Sequence, residues 1–197
     1  MSSVTEGDGF SRLLDAASRG DERAWDQLLR DLISPLRGYL RLRGASEPDD
    51  LVNETLLRTA RHLRRFRGDE EGFRSWVFTI AHHLLVDDRR RRRRQPTHVG
   101  LAVDLESEAV LPVSVPELDA DGTVPDLRGL VAQLTPDQRD VVLLRVVGGF
   151  SLAEVATIVG KEPNAVKQLQ HRGVHALRRL LEAARERERA ADGEAAR

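Results

Sequence analysis

The chain has 197 residues, with 31 Lys+Arg against 32 Asp+Glu and no cysteine, which excludes disulfides, thiolate metal sites and a cysteine nucleophile. No apolar stretch approaches the roughly 18 residues needed to cross a bilayer, and the first ten residues lack a basic region followed by an apolar run, so a cytoplasmic protein without membrane insertion is expected. The formal charge of -1 hides a division: residues 1–94 hold 19 basic against 16 acidic side chains, residues 95–126 hold 0 against 7, and residues 127–197 hold 12 against 9. Two mildly basic blocks around an acidic segment fit two modules that face nucleic acid and a tether that avoids it.

Phe10, Leu13, Leu14 and Ala17 fall on one face of a short amphipathic helix that Gly20 ends, and Asp21 caps the next. That second helix directs Ala24, Trp25, Leu28, Leu29, Leu32, Ile33, Leu36, Tyr39 and Leu40 to a core, and Pro35 inside it predicts a kink or break. After Gly44, Ser46 and Asp49 have capping-box spacing around Pro48. The helix that follows buries Leu51, Val52, Thr55, Leu56 and Leu63. Its opposite face, Asp50, Asn53, Glu54, Leu57 and Arg61, keeps one leucine among charges and by itself reads as solvated.

A loop around Gly68, Asp69 and Glu70 leads into FRSWVFTIAHHLLVDDRRRRRR, residues 73–94. Phe73, Trp76, Val77, Ile80, Ala81 and Leu84 recur at helical intervals and predict a buried face, whereas Arg89 to Arg94 cover more than one turn and point in every direction. From residue 95 to 126 the periodicity stops, and Pro96, Pro112, Pro116 and Pro125 punctuate an acidic linker free to shield the basic surfaces.

Beyond the linker, a short helix from Leu127 to Leu134 precedes Thr135-Pro136-Asp137-Gln138, an N-cap, a first-turn proline and a completed capping box. Ser151 and Glu154 form another capping box, and Gly160 ends the short helix they open. A longer helix then carries Val166, Leu169, Val174 and Leu177 inward. Short helix, glycine turn, longer helix is helix-turn-helix geometry, and Ala156, Gly160 and Val166 supply the small, glycine and β-branched residues its close approach needs. Asn164, Lys167, Gln168, His171 and Arg172 are left on the outer faces, with side chains that suit base edges and phosphates. The tail, residues 183–197, reads as frayed or disordered.

No phosphate-cradling loop, nucleophile elbow or paired-carboxylate site stands out, so no catalytic residue is assigned, no cofactor is implied and an enzyme is not expected. His82, His83, Asp87 and Asp88 invite a metal reading, but adjacent histidines diverge by about 100° on a helix and no further ligand set is evident; polar surface is the better reading, with no metal. A metal-dependent hydrolase using His82 and Asp87 is the weaker alternative, and a stand-alone helix-turn-helix regulator the stronger one.

Residues 49–94 resemble the second region, and residues 135–180 the fourth region, of bacterial RNA polymerase sigma-70-type factors; with only those two present, the chain resembles the extracytoplasmic function (ECF) group. The resemblance implies an all-α fold of two small helical domains: residues 1–94, a linker over 95–126, and a helix-turn-helix domain over 127–182. It implies core RNA polymerase as partner, through the β′ clamp helices and the β flap, together with promoter DNA, and it leaves room for an anti-sigma factor. Asp50, Asn53, Glu54, Leu57 and Arg61 would meet the polymerase. Phe66, Gly68, Asp69, Trp76, Thr79, His82, His83, Arg89 and Arg90 would meet the minus-ten element, and Asn164, Lys167, Gln168, His171 and Arg172 the minus-thirty-five element. Thr79 and His83 stand where many members place arginine and asparagine, and Glu162 where serine or threonine is usual.

Overall fold

The structure, a computed structural model, describes residues 3–94 and 127–195. Helix α1 (Ser3–Ser18) ends at Gly20, whose φ of 96° is a left-handed stop. Asp21 accepts a hydrogen bond from the Ala24 amide and opens α2 (Glu22–Leu29) as its sequence position predicts. The break expected from Pro35 falls earlier: α2 stops at Leu29, and α3 (Ile33–Leu42) places Pro35 in its first turn, where the missing N–H has no intrahelical partner to lose.

The start of α4 (Pro48–His62) corrects the sequence reading. Its N-cap is Glu47, not Ser46, and no side chain caps it; Asp49 instead pairs with Arg37 at 2.6 Å. A 3-10 turn, Leu63–Arg65, leads to the extended Phe66 and then to α5 (Glu70–Arg94). Asp69 accepts from the Gly72 amide at 2.8 Å, so the loop residue itself holds the first turn of α5.

The second half comprises α6 (Leu127–Ala132), α7 (Pro136–Val146), α8 (Leu152–Val159) and α9 (Pro163–Ala195). Both capping boxes form, Thr135 with Gln138 and Ser151 with Glu154. Helix α9 continues to Ala195 through the stretch the sequence suggests is frayed. The linker reading of residues 95–126 lies outside the described residues.

The fold is all-α among the described residues, and its two halves share one continuous apolar core. Helix α5 is the joint: it packs on α3 and α4 of its own half and on α8 of the other. Phe78, fully buried, meets Phe150 edge-on with ring centroids 4.7 Å apart.

Gly173 shows how tightly the second half is packed. A β-carbon there would lie 2.8 Å from Val142 Cγ2, where α7 meets α9. Helix propensity alone favours alanine by about 1 kcal/mol, but this methyl must displace a stiff valine. Gly173→Ala should therefore cost about 1–3 kcal/mol in urea unfolding; a stabilised variant would show the two helices are loosely apposed.

Candidate nucleic-acid interface

Helices α8 and α9 form a helix-turn-helix. Gly160, with φ 65° and ψ 38°, terminates α8, and Lys161 N–H returns to the Ala156 carbonyl at 3.0 Å. Ala156 and Val166 are buried where the two helices meet. All five residues singled out on the second helix, Asn164, Lys167, Gln168, His171 and Arg172, are exposed, and Gln168 and Arg172, one turn apart, share one outer side of α9. The His171 and His175 rings lie 4.4 Å apart, tilted by 55°, and Glu162 lies exposed at the start of the helix.

Around the loop before α5, Phe66 stacks on Trp76 (5.1 Å, 26°) and meets Phe73 edge-on (5.5 Å), forming an aromatic platform at the protein edge. Ser11, Leu14, Phe66, Arg67 and Gly68 border a cleft of ≈ 400 Å³. Gly68 and Asp69 are exposed, although the Asp69 carboxylate is engaged in capping. Trp76 and Thr79 are half-buried, and His83 and Arg90 are exposed on the same side of α5.

His82 is the main correction. Read from sequence as polar surface and as a minus-ten contact, it is 8% exposed, its Nδ1 lies 3.0 Å from the Tyr39 hydroxyl, and Asp140 of the other half is 3.8 Å away. The Tyr39 hydroxyl donates to Asp140 at 3.0 Å, so its oxygen is left to accept from Nδ1–H, the neutral tautomer that suits a buried ring. Asp140 also takes a two-pronged contact from the buried Arg43 guanidinium, 2.9 Å at Nη2 and a shorter one at Nε. Asp87 is exposed, so it and His82 do not converge, and among the described residues no group of three or more ligands could hold a metal.

The arginine run is also less free than it reads. Arg89 donates to the Arg43 carbonyl, and Arg91 and Arg92 both bind the buried Asp88 carboxylate. Burial pushes the Asp88 carboxyl upward, but hydrogen bonds and charge from Arg92 and Arg91 outweigh it and hold the group below the ordinary carboxylate range. Arg90, Arg91, Arg92 and Arg94 are all exposed, but Arg91 and Arg92 are held by Asp88.

On α4, Asp50, Asn53, Leu57 and Arg61 are exposed, Leu57 at 52%, while Glu54 is half-buried and held by Arg58 at 2.7 Å. Sequence reasoning missed Tyr39, Arg43 and Asp140 as a group.

The family description Sigma-70 region 2 matches residues 24–95, and Sigma-70, region 4 matches residues 126–177. The ECF RNA polymerase sigma factor SigL of Mycobacterium tuberculosis is 31% identical over 74% of this chain and 81% of that protein. The ECF RNA polymerase sigma factor BldN of Streptomyces coelicolor is 34% identical over 89% of this chain, which spans only 61% of that relative. Among solved structures, the sigma factor RpoE of Bartonella quintana, in complex with the anti-sigma factor NepR, superposes with a TM-score of 0.62 at 26% identity, over 80% of this chain and 96% of that one. The chain belongs to the sigma-70 family. Within it, the chain is an ECF sigma factor, one of the initiation factors that direct promoter-specific transcription.

Burial holds the His82 pKa below 6.5, against the opposing pull of Asp140, with Arg43 and His83 adding to the depression. A histidine whose folded pKa is depressed stabilises the fold above its unfolded pKa and withdraws that support as pH falls toward the folded value. Melting temperature should therefore drop as pH falls below about 6.5, and His82→Gln should shrink that slope. An unchanged slope would place the acid sensitivity elsewhere.

Proposed function

We propose that this chain binds core RNA polymerase in the cytoplasm, carries it to promoters and helps open them, without catalysing a reaction itself. The observation that carries this is the arrangement in one chain of an exposed helix-turn-helix face, Asn164, Lys167, Gln168, His171 and Arg172, and a separate exposed α4 face built around Leu57. A polymerase surface provides a partner for Leu57 that solvent does not. The α9 face presents bidentate donors and acceptors for the major groove of the minus-thirty-five element. The Phe66–Trp76 platform beside the cleft supplies stacking surface for an unpaired minus-ten base, with Thr79, His83 and Arg90 along the same edge. An anti-sigma factor, the kind of partner bound in the RpoE structure, would suit the same exposed faces.

Run-off transcription with purified core polymerase is the direct test: specific transcripts support the reading, and tight operator binding without any polymerase dependence would replace it with a stand-alone regulator. Replacing Lys167, Gln168 and Arg172 together by alanine should erase minus-thirty-five protection, at about 1–3 kcal/mol for each base edge no longer read. Binding to core polymerase should survive; its disappearance would mean that the variant has unfolded.

Within the arginine run the internal contacts predict unequal roles. Replacing Arg90 and Arg94 by glutamine should flatten the salt dependence of DNA binding by up to about two counterions. The same change at Arg91 and Arg92 should alter it less, since the Asp88 carboxylate already offsets one of their two charges. Equal slopes for the two double variants would show that the Asp88 contacts give way to phosphate.

A further inference from the structure

Two histidines on the outer face of α9 are not accounted for by the reading of bases alone. His171 and His175 lie one turn apart, both exposed, with their ring centroids 4.4 Å apart and their planes tilted by 55°. At about 100° per residue, positions 164, 168, 171 and 175 fall within about 60° around the helix axis, so the pair continues the strip that Asn164 and Gln168 begin. Among the described residues, the two rings meet each other and no hydrogen-bonding group. The other described histidines are placed differently. His82 is buried with Nδ1 against Tyr39, the His83 ring centroid is 6.1 Å from that of His82, and His62 sets Nδ1 2.9 Å from the Arg58 carbonyl.

Two imidazoles four residues apart on one helix face can grip a metal ion together. A first-row metal about 2.0 Å from a nitrogen of each ring stands about 3.2 Å from each ring centroid. Centroids 4.4 Å apart then subtend about 90° at the metal, the cis angle of a square-planar or octahedral site and narrower than a tetrahedral one. The surroundings narrow the choice of ion further. Residues 163–181 carry no carboxylate, and Lys167, Arg172, Arg178 and Arg179 stand exposed within a turn of the pair. Magnesium and calcium take oxygen ligands and favour negative charge, so this setting rejects them. Cu(II) and Ni(II), which imidazole nitrogen holds in tetragonal geometry, fit it, with water or a solution anion in the remaining positions.

We infer that His171 and His175 form a two-histidine site for Cu(II) or Ni(II), and that the occupied helix is kept out of the major groove. The ion takes a nitrogen of His171, one of the minus-thirty-five contacts in the function proposed above. Its remaining ligands add bulk on the strip that has to lie against the bases. Ion and DNA therefore weaken each other's binding, and by the same factor. The site stands on the geometry of α9, whereas its effect on DNA rests on the sigma-factor reading.

Titration of the full chain with nickel chloride, followed by calorimetry at about pH 7.5 because neutral imidazole is the ligand form, tests the site. The variant is His175→Asn, which leaves His171 and the other minus-thirty-five contacts in place. It should bind Ni(II) at least about tenfold more weakly than wild type, since one ring alone loses the chelate. Equal affinity in the two proteins would overturn the site and assign the binding to histidines elsewhere. Footprints of the holoenzyme, assembled with core polymerase, test the consequence. Saturating Ni(II) should weaken minus-thirty-five protection by wild type at least about tenfold and leave protection by His175→Asn nearly unchanged. Protection by wild type that holds or tightens with Ni(II) bound would overturn the exclusion. A wild-type holoenzyme that gives no protection even without metal would sink the sigma-factor reading, while the calorimetry would still decide whether the pair binds the ion.

Discussion

The arrangement of the two halves depends on one buried ion pair, Arg43 with Asp140. Taking both charges out of water costs several kcal/mol per ion, and their attraction in the interior recovers that only when the geometry is good and the remaining lone pairs are satisfied. Here the guanidinium approaches both carboxylate oxygens, and the Tyr39 hydroxyl donates to one of them. Such a pair adds little net stability compared with an apolar replacement, but it is intolerant of misplacement. A shifted interface would strand a charge in the core, so the pair selects one docking geometry for two domains that apolar contacts alone would allow to slide.

Much of the local structure was written in the sequence because it depends on short-range chemistry. Asp21, Thr135, Ser151 and Gly160 sit where their side chains or backbone freedom satisfy a helix end, and each does so. Ser46 failed because a proline at the first helical position shifts the cap by one residue to Glu47, leaving Asp49 to pair across to Arg37. The joint between the halves was less legible. Arg43 continues the buried stripe of Leu36, Tyr39 and Leu40, and Asp140 that of Val141 and Leu144, so both charges fall on core-facing positions. That is a detectable signal, but either charge alone reads as an ordinary polar position on a helix, and nothing local pairs residues 97 positions apart. The exposed site residues were legible for the converse reason: α4 and α9 present them on faces that their own apolar stripes leave free.

His82 illustrates the same limit. Its neighbour His83 is exposed, and adjacent residues on a helix point about 100° apart, so one polar pair in sequence becomes one surface residue and one buried one. Which of them turns inward is decided by Asp140 and Tyr39, neither of which is near in sequence.

Taken around its axis, α5 has three sides rather than the two that its sequence suggests. Phe73, Val77, Ile80, Ala81 and Leu84 face the first half's core; Arg74, Ser75, Phe78 and His82 face the second half; Trp76, Thr79, His83 and Arg90 share the remaining edge. An amphipathic helix with a single buried stripe could offer a broad polar face to DNA. This one offers only the third edge, because the middle side is occupied by a carboxylate, a backbone carbonyl and an aromatic ring of the second half.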